Sequence, residues 1–188
     1  ERARPLISPD GARLAFLAHS AAGVMNVWIR PWDRDEAVQI TGETKRGIET
    51  FYWTADGRGI LTLRDSSGDE NFHVFLTDIA SKRTRDLTPF EGIRAVNLIC
   101  RSSDILVGLN LRNPALFDMY AVDLETGAVR LDTENPGDVF FLVGNEWLAQ
   151  RLEMGHERSL SRLIRPGNEN QEIQKLCSKL TKMLPCED

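Results

Sequence analysis

The chain is predicted to be all-β: a partial β-propeller of about three to four four-stranded blades, followed by a short C-terminal helix. Three observations carry that expectation. Asp33, Asp78 and Asp123 recur every 45 residues, each closing a short alternating or apolar run, VWIRPWD, VFLTD and MYAVD. The turn Ser8-Pro9-Asp10-Gly11 recurs 46 residues on as Thr54-Ala55-Asp56-Gly57, and Ser102-Ser103-Asp104 follows 48 residues later. Runs such as ILTL and FFLV are apolar at nearly every position, so both of their faces need cover, which stacked blades supply. A β-sandwich with accidental periodicity is the competing architecture, and the three-point beat favours blades.

The first blade, residues 1–45, is expected to hold strands at Arg4 to Ile7, Arg13 to Ala18, Asn26 to Trp32 and Ala37 to Thr41. In its first turn Pro fixes φ, Asp hydrogen-bonds its own backbone and Gly accepts positive φ. The second, 46–91, repeats the order with Glu49 to Trp53, Gly59 to Leu63, Phe72 to Asp78 and Thr84 to Thr88. The third, 92–135, has Arg94 to Cys100, Asp104 to Leu109, Phe117 to Leu124 and Ala128 to Leu131, the last hairpin turning at Glu125-Thr126-Gly127. A fourth, 136–164, opens with Val139 to Val143 and Glu146 to Leu152. Together these make a propeller region over 1–164, and residues 165–188 form a divergent tail. There Ile173, Leu176, Leu180 and Leu184 fall at helical spacing, which predicts a short amphipathic helix over 170–184 ending at Pro185.

Charge and composition exclude some functions. The 188 residues carry a net charge of −5 and no cluster of Lys and Arg, which argues against a nucleic-acid surface. No apolar stretch approaches the roughly 18–20 residues that cross a bilayer, so no membrane partner is expected. Cys100, Cys177 and Cys186 are odd in number and lack metal-ligand spacing, which favours a reducing, cytoplasmic setting, while a Cys177–Cys186 pair stays open. No basic-then-apolar leader is present, and the start at Glu1 rather than Met reads as a fragment or processed product, so a removed leader stays open.

Several strings resemble one family. ERARPLISPDGARLAFLA at the start, NVWIRPW, and LRDSSGDENFHVFLTDI from residue 63 are similar to the amino-terminal propeller of the prolyl oligopeptidase family of serine peptidases, its acylaminoacyl-peptidase-like branch. The resemblance covers roughly residues 1 to 152; its most discriminating run is Arg64-Asp65-x-x-Gly68-Asp69-Glu70-Asn71-Phe72-His73. It implies a propeller that caps an α/β-hydrolase catalytic domain of the same parent chain and restricts access to short peptides. It also implies that this chain stops before the catalytic half.

The residues themselves agree on what is missing. No G-x-S-x-G elbow occurs, and His19, His73 and His156 lack a Ser–carboxylate context, so no catalytic residue is assigned. No H-x-x-x-H, C-x-x-C or EF-hand string is present, so neither metal nor cofactor is expected. The one candidate site is the loop carrying Asp65, Asp69, Glu70 and Asn71. Three carboxylates there can meet a peptide ammonium or an Arg of the hydrolase domain. The alternative use is architectural: Asp and Asn satisfying backbone donors in a tight loop, with His73 packing on a neighbouring blade. Trp28, Trp32, Trp53 and Trp147 are expected to fill the wedges between blades rather than form a ligand platform. The sequence thus points to part of the substrate-gating propeller of a serine oligopeptidase or exopeptidase, inactive alone. The alternative is a stand-alone interaction scaffold of Tol-Pal type. The open flanks of an incomplete ring are expected to favour self-association.

Overall fold

The computed structural model describes residues 3–65 and 68–135. The expected fourth repeat, the tail and the helix expected in it, Ser66, Ser67, Trp147, His156, Cys177 and Cys186 lie outside the described residues. The described strands all fall within one compact unit, Glu1–Leu142.

Twelve strands build three four-stranded antiparallel meanders. The first sheet runs β1 (Ala3–Ile7), β2 (Arg13–His19), β3 (Met25–Pro31), β4 (Val38–Gln39). The second runs β5 (Phe51–Trp53), β6 (Gly59–Arg64), β7 (His73–Asp78), β8 (Thr84–Asp86). The third runs β9 (Ala95–Cys100), β10 (Asp104–Asn113), β11 (Leu116–Asp123), β12 (Val129–Thr133). The expected all-β class is therefore what the chain adopts, without a helix among the described residues.

The turns explain the periodicity. The Ser8 hydroxyl and the Ala12 N–H (3.1 Å) both donate to Asp10 Oδ1, while Gly11 sits at φ +73°. Thr54 Oγ1 (2.6 Å) and Arg58 N–H (3.0 Å) do the same for Asp56 Oδ1. The hydroxyl contacts, first of all, hold both carboxyls below the usual carboxylate range. At the third occurrence the chemistry differs: Asp104 opens β10, and its carboxylate lies 3.8 Å from Arg101. The 45-residue beat has a similar origin. Asp78 accepts from Ser81 N (2.7 Å) and Oγ (2.6 Å), and Asp123 accepts from Thr126 N and Oγ1 (both 2.7 Å). Asp33 lies beyond β3 and pairs instead with Arg34 at 3.6 Å.

A second series is less visible in the sequence. Asn26, His73 and Asp118 occupy matching places near the start of the third strand of each sheet, and each binds the segment at or beyond the fourth strand. Asn26 Oδ1 accepts from Thr41 Oγ1 and Glu43 N (both 2.8 Å). His73 Nδ1 meets Asp86 Oδ2 at 2.8 Å, and Asn135 N donates to Asp118 Oδ1 at 2.7 Å. These clamps hold the chain where it leaves one blade for the next.

The core lies between blades. Ala15, Leu17, Val27 and Ile29 of the first sheet pack with Phe51, Trp53 and Ile60 of the second. Leu61 and Val74 on the second sheet's other face pack with Ile105, Val107, Leu109 and Val122 of the third. Polar staples cross the same joints. Trp53 Nε1 donates to Leu6 O (3.1 Å), Arg4 Nη1 to Thr50 Oγ1 (2.7 Å) and Arg13 Nη2 to Gly57 O (2.8 Å). Trp53 thus fills a wedge as expected. Trp32 does not: it is 55% exposed at the end of its blade.

Gly108 is needed for space. A Cβ there would sit 2.9 Å from Val96 Cγ2 and 3.2 Å from the Val96 carbonyl oxygen. Val96 is its register partner across β9–β10, so that oxygen moves only with the strand. Gly108→Ala is expected to destabilise by about 1–3 kcal/mol. Thermal unfolding checks this; a melting point equal to that of the parent chain would show that β9 yields freely.

Candidate functional site

In each meander the short turns after the first and third strands lie at one end. The loops after the second strand and the linkers between sheets lie at the other. The loop between β6 and β7 therefore meets the linker 40–50 that enters β5. Around this junction the four predicted site residues come together.

Asp65 follows β6 directly, and its side chain is 2% exposed. Its Oδ2 accepts from Arg46 Nη1 at 2.6 Å and from Glu70 N–H at 3.4 Å. Asp69 receives the Asn71 backbone N–H on Oδ1 and the Asn71 Nδ2 on Oδ2, both at 3.1 Å. Two of the three carboxylates are thus engaged in holding the loop, as Asp and Asn do in tight turns. Glu70 is different. It stands at φ +60°, where a side chain is uncommon, and is 74% exposed, its Oε2 4.0 Å from Arg94 Nη1. Asp69 and Glu70 are both exposed, and of the two Asp69 is the one tied to the loop backbone.

Sequence reasoning missed what surrounds the loop. A cavity of about 30 Å³ opens between Glu43, Arg46, Gly47 and Glu49 of the linker and Leu63, Arg64, Asp65 and Phe72 of the second blade. That is room for one water-sized group. Arg64 closes one wall: it pairs with Glu43 and lies 3.9 Å from the Phe75 ring centroid. Burial lowers the Arg64 pKa, while the Asp86 charge opposes that shift. Leu63 and Phe72 supply the apolar part of the lining. His73 pairs with Asp86 of its own sheet and stacks on Phe75 at 6.4 Å between centroids.

This arrangement can hold a small polar or cationic group. Among the described residues no Ser hydroxyl bonds a His, and the register partner of His73 is Arg64. Nor, among them, do three or more His, Cys, Asp and Glu converge on a metal site.

No family model matches the chain. Among curated proteins it is 40% identical over 143 residues to dipeptidyl aminopeptidase BIII of Pseudoxanthomonas mexicana, covering 74% of this chain and 21% of that protein. It is 31% identical over 151 residues to dipeptidyl peptidase family member 6 of Caenorhabditis elegans, covering 74% and 20%. The chain thus spans about a fifth of the length of these relatives. Two solved structures share the fold alone. The β-propeller domain of the trilobed protease from Pyrococcus furiosus, described as having an open velcro topology, has a TM-score of 0.53 at 19% identity, covering 71% of this chain and 43% of that one. TolB from Acinetobacter baumannii has a TM-score of 0.52 at 14% identity, covering 73% and 33%. The three sheets are a section of β-propeller of the kind found in peptidases. Its likeness to two dipeptidyl peptidases in sequence, and to a protease propeller in fold, agrees with the resemblance to the prolyl oligopeptidase family that its motifs carry.

Proposed function

We propose that this chain is part of the substrate-gating propeller of a serine oligopeptidase or exopeptidase. In this reading it stacks on an α/β-hydrolase domain of the same parent protein and admits short peptides while excluding folded ones by size. The observation that supports it is the 40% identity over 143 residues to a dipeptidyl aminopeptidase. Blade spacing supplies the physical means, because wedge-shaped sheets around an axis leave a passage too narrow for a folded domain. The 188 residues alone are expected to show no peptide turnover, because no nucleophile elbow occurs in them. The domain limits drawn from the sequence, with a propeller region over 1–164 and a tail over 165–188, belong to this proposal, as does a cytoplasmic setting. The test is to express the parent protein with and without these blades. Hydrolysis of a short peptide by the complete protein, with a folded substrate cut only when the blades are deleted, supports the reading. A complete protein that cleaves no peptide overturns it.

Within this reading the loop at Asp65, Asp69, Glu70 and Asn71 is the substrate-facing element, and Glu70 carries the contact with a peptide ammonium. Asp69→Asn with Glu70→Gln in the parent enzyme is expected to raise KM about 3- to 10-fold with kcat unchanged, the loss of one exposed charge contact. Unchanged KM would leave the loop a purely architectural one.

The shared fold with TolB supports a second reading, an interaction scaffold without hydrolysis. In that case the parent protein has no peptidase activity but captures a protein partner. Open blade flanks in either case favour self-association of the isolated chain, which size-exclusion chromatography reads directly.

A further inference from the structure

Among the described residues three arginines lie over aromatic rings: Arg13 over Trp53, Arg64 over Phe75 and Arg94 over Phe72. Two of them are already paired within the protein. Arg13 donates to the Gly57 carbonyl at 2.8 Å, and Arg64 pairs with Glu43. Arg94 is held in place without being satisfied. Its backbone N–H donates to Asn110 Oδ1 at 2.6 Å, just before β9 begins. Its guanidinium stands 5.9 Å from the Phe72 centroid, and its ion contact is with the exposed Glu70 at 4.0 Å, beyond hydrogen-bond reach. The side chain is 46% exposed.

A guanidinium presents its N–H fork in one plane, where two donors can meet one carboxylate side by side. At 5.9 Å the Phe72 ring attracts the Arg94 charge without a face-to-face contact. The position of Arg94 matters as well. Phe72 also lines the cavity beside Glu49. First strands line the axis of a propeller, so a residue at the start of β9 stands at the rim of the passage.

We infer that Arg94, beside Phe72, is a carboxylate anchor at the rim of the passage, taking the free C-terminus or an acidic side chain of an incoming peptide. The inference rests on the peptide-admitting reading above and names a further residue for it. On binding, the ligand carboxylate displaces the loose contact to Glu70 and receives two N–H donors from Arg94.

The test uses binding by the 188-residue chain, which needs no catalysis. Titrate it with Ala-Phe, with Ala-Phe amide, with N-acetyl-Ala-Phe and with Glu-Phe amide, following chemical shifts at Phe72 and Arg94. The free acid is expected to bind about 10-fold more tightly than the amide, the difference made by one charge-assisted bidentate contact. Arg94→Ala abolishes that discrimination, Arg94→Lys keeps part of it as a point charge, and Phe72→Leu weakens it. N-acetyl-Ala-Phe still binds more tightly than Ala-Phe amide, because the carboxylate and not the amine meets Arg94. If Glu-Phe amide binds as well as the free acid, the anchor takes side-chain carboxylates too; if it binds as weakly as Ala-Phe amide, the anchor is specific for the C-terminus. Equal affinity for Ala-Phe and its amide in the parent chain overturns the inference, as does no saturable shift at either residue with any peptide. Either result can coexist with an active, size-selective parent enzyme, so failure here is distinguishable from failure of the gating proposal.

Discussion

Replacing Phe51 by Ala lowers the melting temperature of the chain by about 10 °C, the equivalent of about 3–5 kcal/mol at a fully buried phenylalanine. Phe51 is 0% exposed, at the head of β5 and inside the cluster that joins the first two sheets. Its neighbours there include Val27, Ile29, Ile48 and Ile60, two of them from the first sheet. Val27, Ile29 and Ile60 sit on strands held by their own ladders, so the site cannot collapse onto the missing ring, and the cavity term stays large. Because blades interact with their neighbours, the damage should be local to the first joint. Trp53, whose indole N–H crosses that joint to Leu6 O, is the natural fluorescence reporter. A melting point within about 1 °C of the parent would mean that the first and second sheets are not packed through this cluster.

The strands were legible because each signal is local. A Pro-Asp-Gly turn or a run of β-formers declares itself within ten residues, so β2 and β9 fall within a residue or so of their expected limits. β10 runs on to Asn113, past the expected Leu109, because Arg112 pairs with Asp118 on the facing strand. The reverse holds for β4, expected over Ala37 to Thr41 and reduced to Val38–Gln39. Thr41 there turns its hydroxyl to Asn26 and leaves the ladder.

The candidate loop was legible as a cluster of carboxylates, but not in what they do. Asp65 is engaged by Arg46, 19 residues away in the preceding linker, and Glu70 faces Arg94 across 24 residues. Neither pairing has a sequence period. The clamps at Asn26, His73 and Asp118 do keep the blade spacing, 47 and 45 residues apart, but three different side chains serve one role there. Residue identity varies while position is kept, and a motif search sees identity.

The third of these clamps yields the second large effect. Asp118 is fully buried, while Arg112 reaches it from the facing strand with Nε at 2.9 Å and Nη2 at 3.0 Å. Asn135 N–H completes the set at 2.7 Å. The Arg112 side chain is 39% exposed and also meets Glu134 at 3.2 Å. The two partners are therefore unequal. Arg112→Ala strands a buried carboxylate and is expected to cost about 3–5 kcal/mol. Asp118→Asn leaves a guanidinium that can hydrate and keeps an acceptor for Asn135, so about 2 kcal/mol is expected. The order of the two losses, more than either size, tests which side of the pair bears the desolvation.

pH supplies an independent check. The Arg112 hydrogen bonds hold the Asp118 carboxyl below its ordinary value, so its folded pKa lies under the unfolded one of about 3.9. The pair's contribution is present above about pH 4 and lost as pH falls through the folded pKa. In Arg112→Ala the same carboxyl, buried without its cation, protonates more easily than in the unfolded chain. The gap between parent and variant should therefore narrow steadily on acidification below neutral pH. Denaturant titrations of both proteins between about pH 3 and 7 would read it. A gap that stays constant over that range would mean that the Asp118 charge is not what Arg112 stabilises, and that the clamp holds by shape alone.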